Sequence, residues 1–232
     1  MAANEPNPLA GQWFTNQLFP SRRSFLKGSA ALTAGFSGLF GALSLPEIAQ
    51  ASDSNLNLLG PRPGYTPQVG TFVSLLTWMR EANGVIAATK GLTQADLDYL
   101  IDPKANTIGA LMLHLAATET YYQLNTFEGK KWGSWSDSVK QQWDAAMNLG
   151  DAGRKTIKGH DRDYYLNILQ ETRAKTLAEF GKHDDAWFMA VDQEWHWNNY
   201  CKWFHVCEHE AHHSGQIAFL RKRLPGAKPD AD

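Results

Sequence analysis

The stretch WNNYCKWFHVCEHEAHHSGQIAFLRKRLPG runs from Trp197 to Gly226. It predicts a long helix from Asn198 to Leu224, which Pro225-Gly226 closes because a proline cannot continue a helix. Four of the chain's eight histidines lie within nine residues of this helix, and they are His205, His209, His212 and His213. Such a concentration of imidazoles indicates a functional site on the helix.

His209 and His213 are the two histidines in this stretch that are best placed to act together. Residues four apart on an α-helix differ by about 40° in direction, so these imidazoles project from one face, one turn apart. His205 lies one turn earlier on nearly the same face, whereas His212 points about 100° away from His213. Two neutral imidazoles in this arrangement suit a divalent metal such as zinc or nickel. A polar helix face is the alternative interpretation.

A third ligand is expected from another helix, because two histidines alone hold a metal weakly. His114 is the best candidate, since it lies among Leu111, Leu113 and Leu115 on the apolar face of a predicted helix. An unpartnered histidine there would be costly, so it needs either a metal or a hydrogen-bonded neighbour. Three histidines would leave coordination positions open to water or substrate, as catalytic sites do.

The rest of the long C-terminal helix leaves the coordination number open. A fourth protein ligand, such as His205, His212 or a glutamate, would close the site and favour a structural metal. Glu208 and Glu210 flank His209 and are expected to be solvated, although either could orient an imidazole.

Apolar residues at three- and four-residue spacings predict three further long helices. These run from Gln68 to about Lys90, from Thr107 to Phe127 and from Tyr164 to Phe180. A short helix with a capping box is expected from Thr93 to Leu100, and Gly129 to Gly159 reads as a long connection containing one short helix. Asp184 to Trp197 is aromatic and less regular. The predicted fold class is all-α, a four-helix bundle with a long crossover between helices 2 and 3.

The first fifty residues predict export. The string SRRSFLK at Ser21 to Lys27 resembles the twin-arginine consensus, and a weakly hydrophobic segment follows it from Gly28 to Leu45. Ala49 and Ala51 suit a signal peptidase, so cleavage is expected after Ala51. A membrane anchor or a core helix of the fold is the alternative, but the segment is rich in glycine and falls short of the ~20 strongly apolar residues of a spanning helix.

Composition predicts one globular domain and excludes several partners. With 43% hydrophobic and 20% charged residues in 232, the chain is ordinary for a folded domain. A net charge of -2 and a pI near 6.4 give no basic surface for nucleic acid or anionic lipid.

We divide the chain into a signal peptide (1–51), an extended lead-in (52–67), the bundle (68–226) and a polar tail (227–232). Cys201 and Cys207, about 9 Å apart in helical rise, are not expected to pair.

Two motifs, LMLHLAATE at 111–119 and the stretch from Trp197 to Gly226, resemble the DinB-like family of metal-binding bundles. The resemblance covers most of Gln68 to Leu224. It implies that His114, His209 and His213 hold a divalent metal, with Gly215 and Gln216 following. Ser214 stands where the family often has arginine, which puts in doubt any role of that position in anchoring an acidic group.

The resemblance implies a metal more directly than a reaction. The family includes thiol-dependent transferases and isomerases, and the low-molecular-weight thiols that some members use are cytoplasmic, which argues against a simple transfer of that activity to an exported protein. We therefore expect an exported, metal-dependent hydrolase or transferase acting on a small molecule, or alternatively a non-catalytic periplasmic metal-binding bundle. Whether enzyme or non-catalytic bundle, the protein would use the Tat translocase during export, have no membrane or nucleic-acid partner once mature, and could form a homodimer.

An aromatic cluster could line a substrate pocket or belong to the core; it consists of Trp187, Trp195, Trp197, Tyr200 and Trp203.

Overall fold

The structure is a computed structural model that describes residues 56–227. The predicted signal peptide, the start of the lead-in and most of the polar tail lie outside the described residues. Within 56–227 the chain forms nine helices and an isolated bridge between Val191 and Asn198. The helices are α1 (Pro67–Glu81), α2 (Val85–Ala88), α3 (Gln94–Leu97), α4 (Ile108–Thr126), α5 (Asp137–Asn148), α6 (Gly150–Thr156), α7 (Arg162–Phe180), α8 (Asp185–Met189) and α9 (Asn199–Arg221).

The predicted all-α fold is confirmed, and its four long helices are α1, α4, α7 and α9. Helices α4 and α7 run parallel, because Glu119 bonds Arg173 and, further along both helices, Gln123 bonds Thr176. The chain between α4 and α7 therefore passes back along the bundle, and it carries α5 and α6. No helix in the described part of the chain is long and apolar enough to cross a bilayer.

Helix α9 runs antiparallel to α4. Lys202 near the start of α9 bonds Asn125 near the end of α4, while His213 lies against His114 in the first half of α4. This pairing places the histidine-rich part of α9 beside the histidine of α4. Cys201 and Cys207 on α9 are both free thiols.

Polar caps begin α4 and α9 where the sequence predicts. Thr107 accepts a hydrogen bond from the backbone N–H of Ala110 at 3.1 Å, and Asn198 accepts one from that of Cys201 at 2.8 Å. Each side chain satisfies a backbone N–H group that has no partner inside its helix. The two helices that carry the candidate ligands therefore have well-defined starts.

The expected first helix from Gln68 to Lys90 is wrong in length. Helix α1 ends at Glu81, and the separate helix α2 begins at Val85. The break passes through Gly84, where a Cβ atom would lie 1.9 Å from the carbonyl oxygen of Met79. Only glycine fits so tight a turn, so the chain changes direction there.

The connection from Gly129 to Gly159 contains two helices rather than the single short one expected. Leu149 separates α5 from α6, and both it and Gly150, the first residue of α6, have positive φ, 55° and 62°. Two successive residues in this conformation interrupt any α-helix, and a leucine rarely adopts it. Helix α5 packs on α4 and supplies a backbone carbonyl to the candidate site described below.

Two hydrophobic clusters form most of the core. One packs α4 against α5 and α7 around Leu111, Leu115 and Leu169. The other is aromatic and lies between α1, α7, α8 and α9; its largest members are Phe72, Phe180, Phe188 and Trp203. Trp203 is fully buried and Trp187 packs against this cluster, so both belong to the core rather than to a pocket wall.

A buried network of ion pairs joins the four long helices. Arg80 of α1 donates to Glu119 of α4 at 2.9 Å and to Glu210 of α9 at 2.9 and 3.0 Å. Arg173 of α7 donates to the same two carboxylates, at 2.7 Å and 3.0 Å. None of these four side chains is more than 8% exposed, and the two positive and two negative charges balance.

The remaining guanidinium nitrogens of this network also have hydrogen-bond partners. Arg80 donates to the backbone carbonyl of Leu169 at 2.8 Å, and Arg173 donates to that of Leu76 at 2.7 Å. Thr176 donates to Glu119 at 2.6 Å. A buried charge is tolerated when it is paired and hydrogen-bonded, and each charge of this network is both. The network therefore fixes the helices relative to one another.

Candidate metal centre

Three histidine side chains converge between α4 and α9. The Nε2 atom of His114 lies 2.8 Å from Nε2 of His209, and Nε2 of His213 lies 3.0 Å from that same atom. One ring nitrogen of each residue lies within 4.8 Å of those of the other two. The structure thus brings together all three ligands predicted from the sequence, although His114 is 95 residues away from His209 along the chain.

Hydrogen bonds at the other ring nitrogens orient two of these imidazoles. Nδ1 of His114 lies 2.9 Å from the backbone carbonyl oxygen of Ala146 on α5, and Nδ1 of His213 lies 2.8 Å from the side-chain oxygen of Gln216. Because a carbonyl oxygen only accepts, each Nδ1 carries the hydrogen and each Nε2 presents a lone pair to the centre of the site.

The convergent lone pairs fit a cation. His209 can supply at most one hydrogen to the two Nε2 atoms that face it, so one close nitrogen pair has no hydrogen between its atoms. In a tetrahedral zinc site the ligand nitrogens lie about 3.3 Å apart, so the two close pairs, at 2.8 and 3.0 Å, would each need to separate by about 0.5 Å or less. Three neutral imidazole nitrogens are ligands that zinc and nickel both accept. The residues present therefore fit such an ion.

Burial keeps these imidazoles neutral. It lowers the pKa of His114 from 6.5 to about 4 and that of His209 from 6.5 to about 2, and the neighbouring histidines add to both effects. Burial likewise lowers the pKa of His213, although the hydrogen bond that His213 donates to Gln216 opposes it. Since a metal binds neutral imidazole, the site is in its ligating form at pH 7.

The other two histidines of α9 lie outside this cluster. Nδ1 of His205 is 2.6 Å from one carboxylate oxygen of Glu208, and Nδ1 of His212 is 2.9 Å from the other. In the described part of the chain, His114, His209 and His213 are the one group of histidine, cysteine or acidic residues with the spacing to hold a metal. Glu208 is thus engaged by two histidines, and it lies beside the site rather than in it.

Glu210 is the functional neighbour that the sequence interpretation missed. It was expected to be solvated, but its side chain is 1% exposed and accepts from Arg80 and Arg173. The sequence does contain a sign of this difference, because residue 210 points about 100° away from His209 and so faces a different helix. Glu119, inside the motif LMLHLAATE, is likewise a charge on an otherwise apolar helix.

The residues after His213 differ in what they do. Gln216 orients the His213 ring, so the position carried over by resemblance has a direct contact with the site. Gly215 is exposed, and a Cβ atom there would meet nothing within 4 Å. Ser214 is 7% exposed and its hydroxyl has no hydrogen-bond partner in the described structure.

Aromatic rings extend from the histidines toward the far end of α4. His205 lies 5.5 Å from His209 between ring centroids, and Tyr122 lies 5.9 Å from His205. Trp132 follows at 5.1 Å from Tyr122, and Trp195 at 6.1 Å from Trp132. Trp195 and Tyr200 are each at least 40% exposed, so the predicted aromatic cluster divides into core residues and surface residues.

The fold and this site together define a class of protein. A helical bundle in which a histidine of the second long helix meets an H-x-x-x-H pair of the last one has the arrangement that the resemblance to DinB-like bundles implies.

Comparison with known families agrees with this class. The family described as mycothiol-S-transferase matches residues 71–226, and the chain belongs to that family. A twin-arginine translocation pathway signal sequence matches residues 20–37, which confirms the predicted export signal. A search of curated proteins found no match.

Proposed function

We propose that this chain is an exported, metal-dependent transferase or hydrolase acting on a small molecule. His114, His209 and His213 would hold one divalent ion, zinc or nickel. The observation that carries the proposal is the convergence of three neutral Nε2 atoms, two of them oriented by hydrogen bonds at Nδ1. Membership in a family named for an S-transferase supports the reaction class.

The proposed chemistry divides between the ion and the protein. A divalent ion with open positions lowers the pKa of a bound water or thiol, so that a nucleophile exists near neutral pH. Ala146 and Gln216 hold two of the imidazoles in the tautomer that binds metal. Glu208 lies between His205 and His212. The polar side chains of these three residues would hydrogen-bond a substrate beside the metal site.

A purely structural metal is the second candidate, and two observations weigh against it. A structural zinc site normally has four protein ligands, whereas three side chains cluster here within the described residues. The network of Arg80, Glu119, Arg173 and Glu210 already ties α4 to α9, so a metal is not needed to hold these helices together.

Loss of His114 is expected to abolish activity while the bundle stays folded. The mature protein, with zinc or nickel added, would be assayed on ester, amide and thiol-transfer substrates, beside His114→Ala and the control His160→Ala. His160 is exposed and stacks on Tyr164, outside the cluster. We expect turnover in wild type and in the control, and none above background in His114→Ala. Equal turnover in all three proteins would contradict the proposal.

Export is expected to depend on the twin arginines. Arg22→Lys/Arg23→Lys should leave the precursor in the cytoplasm, because the translocase recognises the paired guanidinium groups. Cell fractionation measures the distribution, and N-terminal sequencing of the exported protein should begin at Ser52. Normal export of the double variant would show that another route is used. A different first residue would correct only the cleavage site.

A further inference from the structure

A polar cavity lies along α9 from the three-histidine cluster. Lys202, which lines it, precedes His209 by seven residues on nearly the same helix face, so the two are about 10 Å apart along the helix axis. A series of aromatic rings lies between them, from His205 through Tyr122 to Trp132, with neighbouring ring centroids 5.9 and 5.1 Å apart. The cavity and the candidate metal centre therefore lie along one side of α9.

The cavity has a volume of about 280 Å³, enough for part of a small molecule. Trp132 and Trp195 form apolar walls, and each is partly exposed, at 37% and 40%. Lys130 and Lys131 lie at its rim, together with the start of α9. The N-terminal end of this 23-residue helix adds partial positive charge.

Lys202 is the most unusual residue of the cavity. Its side chain is 6% exposed, and its ammonium group donates to Asp192 at 2.6 Å and to Asn125 at 2.8 Å. An ammonium group has three N–H donors, so one has no hydrogen-bond partner among the described residues. A lysine is rarely buried unless it is paired, as Lys202 is with Asp192. Its third N–H is available to an acceptor that enters the cavity.

The acidic residues of the cavity do not prevent it from binding a ligand that accepts hydrogen bonds. Asp192 is committed, because its second oxygen accepts from the backbone N–H groups of Glu194 and Trp195 at 2.8 and 3.2 Å. Glu194 is 63% exposed and lies 3.9 Å from Lys131. Lys130 pairs with Glu128 at the surface, where such pairs are weak and readily exchanged. The available groups are thus mainly donors.

We propose that this cavity binds a carboxylate at one end of an elongated small-molecule substrate, with the reacting end about 10 Å away at the three-histidine cluster. Lys202 would donate to the carboxylate, and Trp132 and Trp195 would pack against the adjoining apolar part. This substrate class rests on the proposed function, but binding in the cavity does not require a metal.

The test uses 2-naphthoate and its neutral analogue 2-naphthamide as probes. Binding to the mature, metal-free protein would be followed by tryptophan fluorescence and by calorimetry, with Lys202→Met and the control Lys90→Gln, an exposed lysine that does not line the cavity. We expect naphthoate to bind wild type and the control alike, and naphthamide and Lys202→Met to bind at least about tenfold more weakly, the usual effect of one charged hydrogen bond. Equal binding of the two probes would overturn the proposal, as would unchanged binding to Lys202→Met.

A second variant keeps the test decisive if Lys202→Met does not fold. Lys130→Gln/Lys131→Gln changes only surface side chains and should weaken naphthoate binding about threefold or more, with no effect on naphthamide. No change in naphthoate binding would again overturn the proposal.

The same titration in His209→Ala/His213→Ala separates the cavity proposal from the proposed metal-dependent function, because the cavity should bind naphthoate even when the metal ligands are removed. A protein that binds metal but not naphthoate would contradict this inference alone.

Discussion

Replacing Glu119 with alanine is expected to lower the free energy of unfolding by about 3–5 kcal/mol, because two arginines would then share one buried carboxylate. Glu119 is fully buried and accepts from Arg80, Arg173 and Thr176. Without it, Arg80 and Arg173 would keep an excess positive charge in the core. Urea unfolding followed by circular dichroism measures the change.

The matched control is Glu128→Ala, a glutamate two residues after α4. Its side chain is 39% exposed and pairs with Lys130 and Lys175. Surface pairs of this kind are worth at most about 1 kcal/mol, so the control should stay near wild type. A loss of stability in Glu119→Ala as small as that in the control would show that the network does not hold the helices together.

The ionisation of Glu119 is also expected to make the free energy of unfolding depend on pH. Burial alone would raise the pKa of Glu119, but Arg173 and Arg80 lower it from 4.5 to about 2. A lowered pKa in the folded state stabilises the protein above pH 4.5, and this contribution is lost as the pH falls from 4.5 toward 2. The loss should be about 3 kcal/mol. Glu119→Gln should lack this part of the pH dependence, and an unchanged acid transition would contradict the assignment.

Replacing His209 with alanine is expected to weaken zinc binding by about 100-fold or more. Removing a residue that merely orients a ligand already costs about 10–100-fold, and His209 is itself the ligand between the other two. The distances support this central position, since Nε2 of His209 lies 2.8 Å from that of His114 and 3.0 Å from that of His213. Competition with a chromophoric chelator measures the affinity.

His183→Ala provides the control for zinc binding. His183 stacks on Phe127 and Trp187, on a part of the surface outside the cluster. Its removal should leave the affinity unchanged. The thermal stabilisation that added zinc gives should persist in this control and disappear in His209→Ala, because a ligand stabilises only the state that binds it. Equal affinity in His209→Ala and wild type would place the metal elsewhere.

Much of the architecture could be predicted because it depends on local rules. Apolar spacing located the long helices, and the starts predicted at Thr107 and Asn198 are the residues that cap α4 and α9. The pairing of His209 with His213 follows from a spacing of four residues. His114 could be predicted as their partner because a histidine among leucines needs one. The structure places all three within 4.8 Å.

The features that were missed depend on contacts between distant parts of the chain. The break at Gly84 arises because that residue approaches the carbonyl of Met79, and periodicity does not record such an approach. The positive φ of Leu149, which separates α5 from α6, leaves no signal in a leucine. Arg80 and Glu210 are 130 residues apart, so neither charge identifies the other as its partner.

The most direct test of the metal site is the metal content of the protein produced from the predicted mature N-terminus, Ser52, purified without a histidine tag and measured by mass spectrometry. The double variant His209→Ala/His213→Ala would be measured beside it. We predict about one equivalent of zinc or nickel per chain in wild type and none in the variant, as three converging imidazoles require. If both proteins remain equally free of metal after reconstitution, the histidine cluster does not bind a metal, and the proposed metal-dependent function is wrong.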